Sequence, residues 1–132
     1  MHDIPGYGIG RQVGQKGPYR TFIGKRKSDG IQVIVKLPAP GLEASANPIE
    51  EFEIARDLNH RHIIRHMDLI RLEDTWGLVH EWFDGSPLGA RIPDTGFDLE
   101  SFLGMAIQIA KGVSEIHNRD IVHQGISPET VF

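Results

Sequence analysis

Ile31-Gln32-Val33-Ile34-Val35-Lys36 is the run that decides the fold of this chain. Ile31, Val33, Ile34 and Val35 are β-branched, and such side chains favour a pleated, half-buried surface. Strand alternation puts Val33 and Val35 on one face and Ile34 with Lys36 on the other. A lysine therefore shares a face with an isoleucine at the end of a strand that reads as buried. Just upstream, Ser28-Asp29-Gly30 carries the Asp-Gly signal of a tight turn. Strands are predicted before that turn, at Arg20–Arg26 and at Tyr7–Val13.

Downstream of the run, residues 37–48 read as a loop rich in Pro, Ala and Gly. Asn47-Pro48 is then a helix start, with Asn as N-cap, Pro at the first helical position and Glu50 and Glu51 in the first turn. The helix is expected to reach about Leu58. At about 100° per residue, Ile54, Ala55 and Leu58 gather around Glu51, with Ile49 and Phe52 extending that side and Glu53 pointing away. Glu51 is thus centred on the apolar face. A carboxylate buried there without a partner costs several kcal/mol, on the order of the penalty for any unpaired buried charge. The helix therefore requires a cation from another element, and Lys36 is a strand-borne cation with no other evident partner.

Ile63–Leu72 and Trp76–Trp82 read as two more strands, joined by Glu73-Asp74-Thr75, and Asp84-Gly85-Ser86-Pro87 breaks the pattern. A long helix capped by Asp98 should follow and end near His117-Asn118, with Leu99, Phe102, Leu103, Ala106, Ile109, Ala110, Val113 and Ile116 on one stripe. The tail from Asp120 to Phe132 reads as a short strand, a turn and the start of another strand. Strands, a helix, strands and a helix in this order make an α+β fold with a mostly antiparallel sheet.

Composition narrows the function classes. The chain has 132 residues, one domain by length, with a net charge of −4 that argues against wholesale nucleic-acid binding. Arg11, Lys16, Arg20, Lys25, Arg26 and Lys27 form a basic early stretch, read as the solvated face of a hairpin in preference to a phosphate-binding patch. There is no cysteine, so disulfides and thiolate metal sites are excluded. No apolar run reaches the length of a membrane span, no signal peptide is evident, and a cytoplasmic location is expected.

The ordered motifs resemble those of protein kinases over essentially the whole chain. Val33-Ile34-Val35-Lys36 resembles the V-A-I-K strand, Glu51 the helix-C glutamate, and Leu58-Asn59-His60 with Ile63-Ile64 the exit from that helix. Leu78-Val79-His80-Glu81-Trp82-Phe83 is similar to the fifth strand and hinge, and Ile121–Phe132 to the catalytic loop H-R-D-x-K-P-x-N. The resemblance implies a kinase-like fold: a five-stranded small lobe with its helix over residues 1–83 and the start of a truncated larger lobe over 84–132. Ile4-Pro5-Gly6-Tyr7, Glu51-Phe52-Glu53 and Met105-Ala106-Ile107-Gln108-Ile109-Ala110 further resemble the N-terminal kinase-like domain of multi-sensor hybrid histidine kinases. That likeness implies signalling modules in a longer parent, or a protein partner.

By this resemblance ATP would be met by Gly14, Lys36, Glu51, Glu81 and Phe83. Lys36 would contact the α- and β-phosphates and Glu51 would hold it. The phosphate-covering G-x-G-x-x-G keeps only Gly14 in register. Lys16 and Tyr19 take the other glycine positions, Gly17 is one residue off, and Pro18 removes an N–H donor. Ile34 replaces a small residue beside the base, and His80 guards the back of the pocket. In the catalytic loop Gly125 replaces the Asp, Gln124 the preceding Arg, Ser127 the Lys and Thr130 the metal-binding Asn, while His123 and Pro128 remain. The sequence stops before any D-F-G triplet, so no Mg²⁺ ligand set is expected. Weak or absent ATP binding and little phosphotransfer follow. His60, His62 and His66 cluster in sequence, but their stretch reads as a turn entering a strand and no metal site is expected. Two function classes remain: an ATP-dependent Ser/Thr kinase, and a pseudokinase that binds or regulates.

Overall fold

The computed structural model describes residues 4–123, 126–128 and 130–132. They form two compact units, one of the chain up to Leu58 with Ile64–Trp82, the other of Asn59–Ile63 with Phe83–Phe132.

The first unit is an antiparallel sheet of five strands in the order β1-β2-β3-β5-β4, with β1 Tyr7–Lys16, β2 Tyr19–Arg26, β3 Gln32–Pro38, β4 His66–Arg71 and β5 Trp76–Glu81. Strand β1 runs beyond the predicted Val13. Gly17, at φ +54°, and Pro18 close a two-residue turn, and pairing continues to Lys16 opposite Tyr19. The β2–β3 turn forms where Asp29-Gly30 predicts it. Gly30 sits at φ +73°, and the Arg26 guanidinium meets the Asp29 carboxylate at 2.7 Å.

The sheet has two unlike faces, and both follow from the parity of β3. Val33, Val35 and Leu37 pack with Ile4, Tyr7, Ile70 and Val79 into the core. At its margin the Tyr7 hydroxyl donates to Asp68 at 2.9 Å. Burial first, then the Asp68 carboxylate, push that phenol up to about 12. Ile34 and Lys36 lie on the opposite face, as do the residues paired with them: Ile23 and Thr21 on β2, His80 and Leu78 on β5.

Helix α1, Pro48–Ala55, packs beside β4 and β5. The Asn47 side chain accepts from the Glu50 N–H, so the cap is as predicted. The expected apolar face is only partly realised. Ala55 and Leu58 are buried, but Ile49 and Ile54 are exposed. A helix resting on one flank of a sheet buries a narrower arc than the one-sided apolar face spans.

Strand β4 begins at His66, three residues after the expected start. His60 accounts for the delay: its carbonyl accepts from the Ile63 N–H at 3.0 Å and its ring Nδ1 from the His62 N–H at 3.1 Å. Backbone groups that a strand would pair are taken up by this turn.

In the second unit, α2 spans Leu99–Asn118, with Asp98 capping the Ser101 N–H. Its Gly112 and Ile116 are buried, whereas Leu99, Phe102, Leu103 and Ile107 are exposed. A one-turn 3₁₀ helix at Leu88–Ala90 is tied to the tail by the Gly89 N–H donating to the Pro128 carbonyl at 2.8 Å. The strands expected in the tail are not found among the described residues, which form turns.

Candidate functional site

Lys36 is delivered by the end of the β3 pleat and Glu51 by the first turn of α1. Lys36 Nζ stands 2.8 Å from Glu51 Oε1, with the side chains 21% and 33% exposed. The cation that the apolar face of α1 requires is therefore Lys36. Burial raises the Glu51 carboxyl pKa, but the His66 hydrogen bond and the Lys36 charge outweigh it and hold the group at about 2.

Tyr19 completes the surroundings of Lys36. The lysine ammonium lies 4.6 Å from the centre of the Tyr19 ring, a cation–π contact. The residue is buried, and burial, then the neighbouring Glu51 charge, push its phenol up to about 12. Tyr19 reads in the sequence as a missing glycine; in the fold it is a lid on the lysine. The register that puts it there is the β2–β3 pairing, with Thr21 opposite Lys36 and Tyr19 opposite Pro38.

Two histidines adjoin the pair. His66 and His80 face each other across β4 and β5, their ring centres 4.2 Å apart. His66 Nε2 lies 3.4 Å from Glu51 Oε1. His66 Nδ1 and His80 Nε2 are buried with no hydrogen-bond partner among protein groups. Burial, then the electrostatic influence of His66 and Lys36, push the His80 pKa down to about 3, so its ring is neutral at physiological pH. Of the sequence cluster His60, His62 and His66, only His66 belongs to this unit; His60 and His62 lie in the other.

The remaining candidates are distributed as follows. Gly14 lies within β1 opposite Thr21, and a Cβ there would meet nothing within 4 Å, so packing does not demand a glycine. Glu81 ends β5, where its carboxylate accepts from the Arg65 N–H at 2.9 Å and its own N–H donates to the Arg65 carbonyl at 3.0 Å. Phe83 belongs to the second unit, its ring centre 5.0 Å from that of Phe132. Ser127 and Thr130 close a turn on themselves: the Ser127 N–H donates to Thr130 Oγ1 at 2.8 Å, and that hydroxyl donates to the Ser127 carbonyl at 3.0 Å. Gly125, with Gln124, lies outside the described residues.

The ion pair is half-buried, between the fully buried case, where removing one partner costs about 3–5 kcal/mol, and the exposed case near 0–1 kcal/mol. Lys36→Met is expected to cost about 1–1.5 kcal/mol on that scale, the lost Tyr19 contact included. A double-mutant cycle of Lys36→Met with Glu51→Gln, read by urea unfolding, measures the coupling. A coupling indistinguishable from zero refutes the pair as a stabilising contact.

Comparison with known proteins gives a consistent result. A family model described as protein tyrosine and serine/threonine kinase matches residues 12–132. A probable serine/threonine-protein kinase, pXi of Dictyostelium discoideum, is 27% identical over 96% of this chain, which spans 18% of that protein. The serine/threonine-protein kinase pkn2 of Myxococcus xanthus is 27% identical over 92% of the chain and 15% of its own length. Among solved structures, a kinase domain of PknI from Mycobacterium tuberculosis matches with a TM-score of 0.80 at 18% identity, over 96% of this chain and 54% of that one. A structure of Rad53 in complex with AMP-PNP matches with a TM-score of 0.82 at 20% identity, over 94% of this chain and 33% of that one. No helix among the described residues is long and apolar enough to cross a membrane.

Proposed function

The chain belongs to the protein tyrosine and serine/threonine kinase family, and from that premise we propose that it is a serine/threonine-kinase-like signalling domain impaired in phosphotransfer. The observation that carries this reading is the catalytic loop. Positions 125, 127 and 130 hold Gly, Ser and Thr, where the family's chemistry uses a carboxylate to orient the hydroxyl, a lysine on the transferring phosphoryl and a metal ligand. Glycine has no side chain to act as a base. The Ser127 and Thr130 groups are engaged in their own turn.

The residues fit Mg-ATP poorly, which supports weak or absent nucleotide binding. Lys36 is present and held by Glu51 at 2.8 Å, as the family's chemistry uses it, but the Tyr19 ring, in a glycine position of the phosphate-covering loop, lies against its ammonium. Ile34 adds carbons beside the base position. No step of phosphotransfer is therefore assigned to this chain. In place of catalysis, we assign a regulatory or binding role to the domain, exerted on attached signalling modules or on a separate protein partner in the cytoplasm. The likeness of Ile4-Pro5-Gly6-Tyr7 and Met105–Ala110 to the N-terminal domain of hybrid histidine kinases favours a two-component context.

Two measurements test this. Thermal unfolding with and without Mg-ATP is expected to give the same midpoint, and phosphate incorporation into the chain or a generic Ser/Thr substrate is expected to stay at background. Saturable stabilisation by nucleotide, or incorporation that Lys36→Met abolishes, overturns the proposal.

A further inference from the structure

Glu51, His66 and His80 are drawn together by three elements, and the phosphotransfer chemistry of the family makes no demand on either histidine. One ligand atom from each residue can be chosen so that all lie within 4.8 Å of one another. In a tetrahedral zinc site with bonds of about 2.0–2.1 Å, neighbouring ligand atoms are about 3.4 Å apart. The Glu51 Oε1 to His66 Nε2 separation is already 3.4 Å. Binding an ion requires the His80 nitrogen to close on that pair from within the 4.8 Å spread.

The chemistry of the donors matches the geometry. Two imidazoles and one carboxylate are a common ligand set for zinc and its neighbours, leaving a fourth position for water. His80 Nε2 is buried and has no protein partner. A buried polar nitrogen without a hydrogen bond is costly and calls for an explanation. Glu51 is one-third exposed, which gives an ion a way in.

We propose that Glu51, His66 and His80 form a binding site for a late first-row divalent cation of the zinc class, whose occupancy competes with the Lys36–Glu51 ion pair. The competition follows from a shared atom: Lys36 Nζ and His66 Nε2 both address Glu51 Oε1. An ion taking that oxygen draws the carboxylate from the lysine, and the lysine ammonium repels the ion. Metal and ion pair are thus alternative ways to neutralise one half-buried carboxylate. Neither histidine is among the residues that the kinase resemblance places at the nucleotide; Glu51 is, so the geometry of the site stands apart from nucleotide binding while sharing that one residue.

The test uses the full chain, freed of metal and titrated with Zn²⁺ by calorimetry and with Co²⁺ by visible absorption. One ion per chain is expected, with the intense ligand-field bands of a tetrahedral cobalt site. His66→Gln and His80→Gln should each weaken binding at least roughly tenfold, the lower bound for disturbing a metal site. Lys36→Met should tighten it in a chain whose circular dichroism shows it folded, since unfolded histidines also bind metal. Absence of saturable binding overturns the proposal. So does binding unchanged in both histidine variants, which would place the ion elsewhere, and so does an unaltered or weakened affinity in a folded Lys36→Met chain.

Discussion

Gly24→Val is expected to destabilise the first unit by about 3 kcal/mol or more, the upper range for overpacking a well-filled site. Gly24 is buried in β2, paired with Ile9 on one side and Val33 on the other. A Cβ added there would lie 2.9 Å from the Gly8 carbonyl oxygen and 3.0 Å from Val35 Cγ2. The first contact is with backbone held in the sheet, and the second is with a core side chain that is fully buried. Valine gains at most about 1 kcal/mol from β-propensity and lost glycine entropy, so the steric cost decides the sign. Two controls separate sterics from a general effect of removing glycine. Gly77→Ala meets Leu37 Cδ2 at 2.8 Å, closer in distance but at the end of a side chain that can rotate, and should cost less than Gly24→Ala. Gly14→Ala meets nothing within 4 Å and should be close to neutral. Urea midpoints for the four variants check the order. Gly14→Ala as damaging as Gly24→Ala would mean that close packing is not the cause.

That packing is set by strand register, and register marks the boundary of what the sequence discloses. Period-two alternation in β3 and the Asp29-Gly30 turn are local, and both elements stand where they are read. The caps Asn47 and Asp98 are local too, and each accepts the backbone N–H expected of it. The Lys36–Glu51 pair is non-local yet still legible, because a charge on an apolar helix face creates a demand that few residues can meet. Other features depend on which residues are opposite one another. The Tyr19 ring reaches Lys36 only because β2 pairs with β3 so that Thr21 is opposite Lys36 and Tyr19 opposite Pro38. His66 meets His80 only through a register shift between His66 and Asp68. His60 shortens β4 by capturing backbone donors, a competition that hydrophobic pattern does not encode. The apolar face of α1 is wider on a helical wheel than in the fold for a related reason. A wheel ranks directions, but the sheet determines how wide an arc is covered, and Ile49 and Ile54 fall outside it.

The histidine pair that register creates also governs how the unit responds to acid. His80 is held at about 3, against an ordinary value of 6.5. Between those values the unfolded chain binds a proton that the folded chain refuses, so stability falls as pH falls. The loss begins near pH 6.5 and reaches about 2 kcal/mol by about pH 5, at about 1.36 kcal/mol for each pH step in which only the unfolded chain is protonated. The groups bearing on His80 are His66 and Lys36, which disfavour its protonation, and Glu51, which favours it. Glu51 itself is held below its ordinary 4.5, at about 2. Its contribution is intact above 4.5 and is lost only as pH falls through the folded value. The acid response should therefore have two stages, an early one from a neutral histidine and a late one from a carboxylate. Unfolding midpoints measured in chelator from neutral pH to about pH 2 resolve them. His80→Gln should flatten the early stage, while Glu51→Gln should leave a fall near pH 6 and remove the later one. A profile flat from neutral to about pH 5, or an early stage that persists in folded His80→Gln, would show that His80 is not the group resisting protonation.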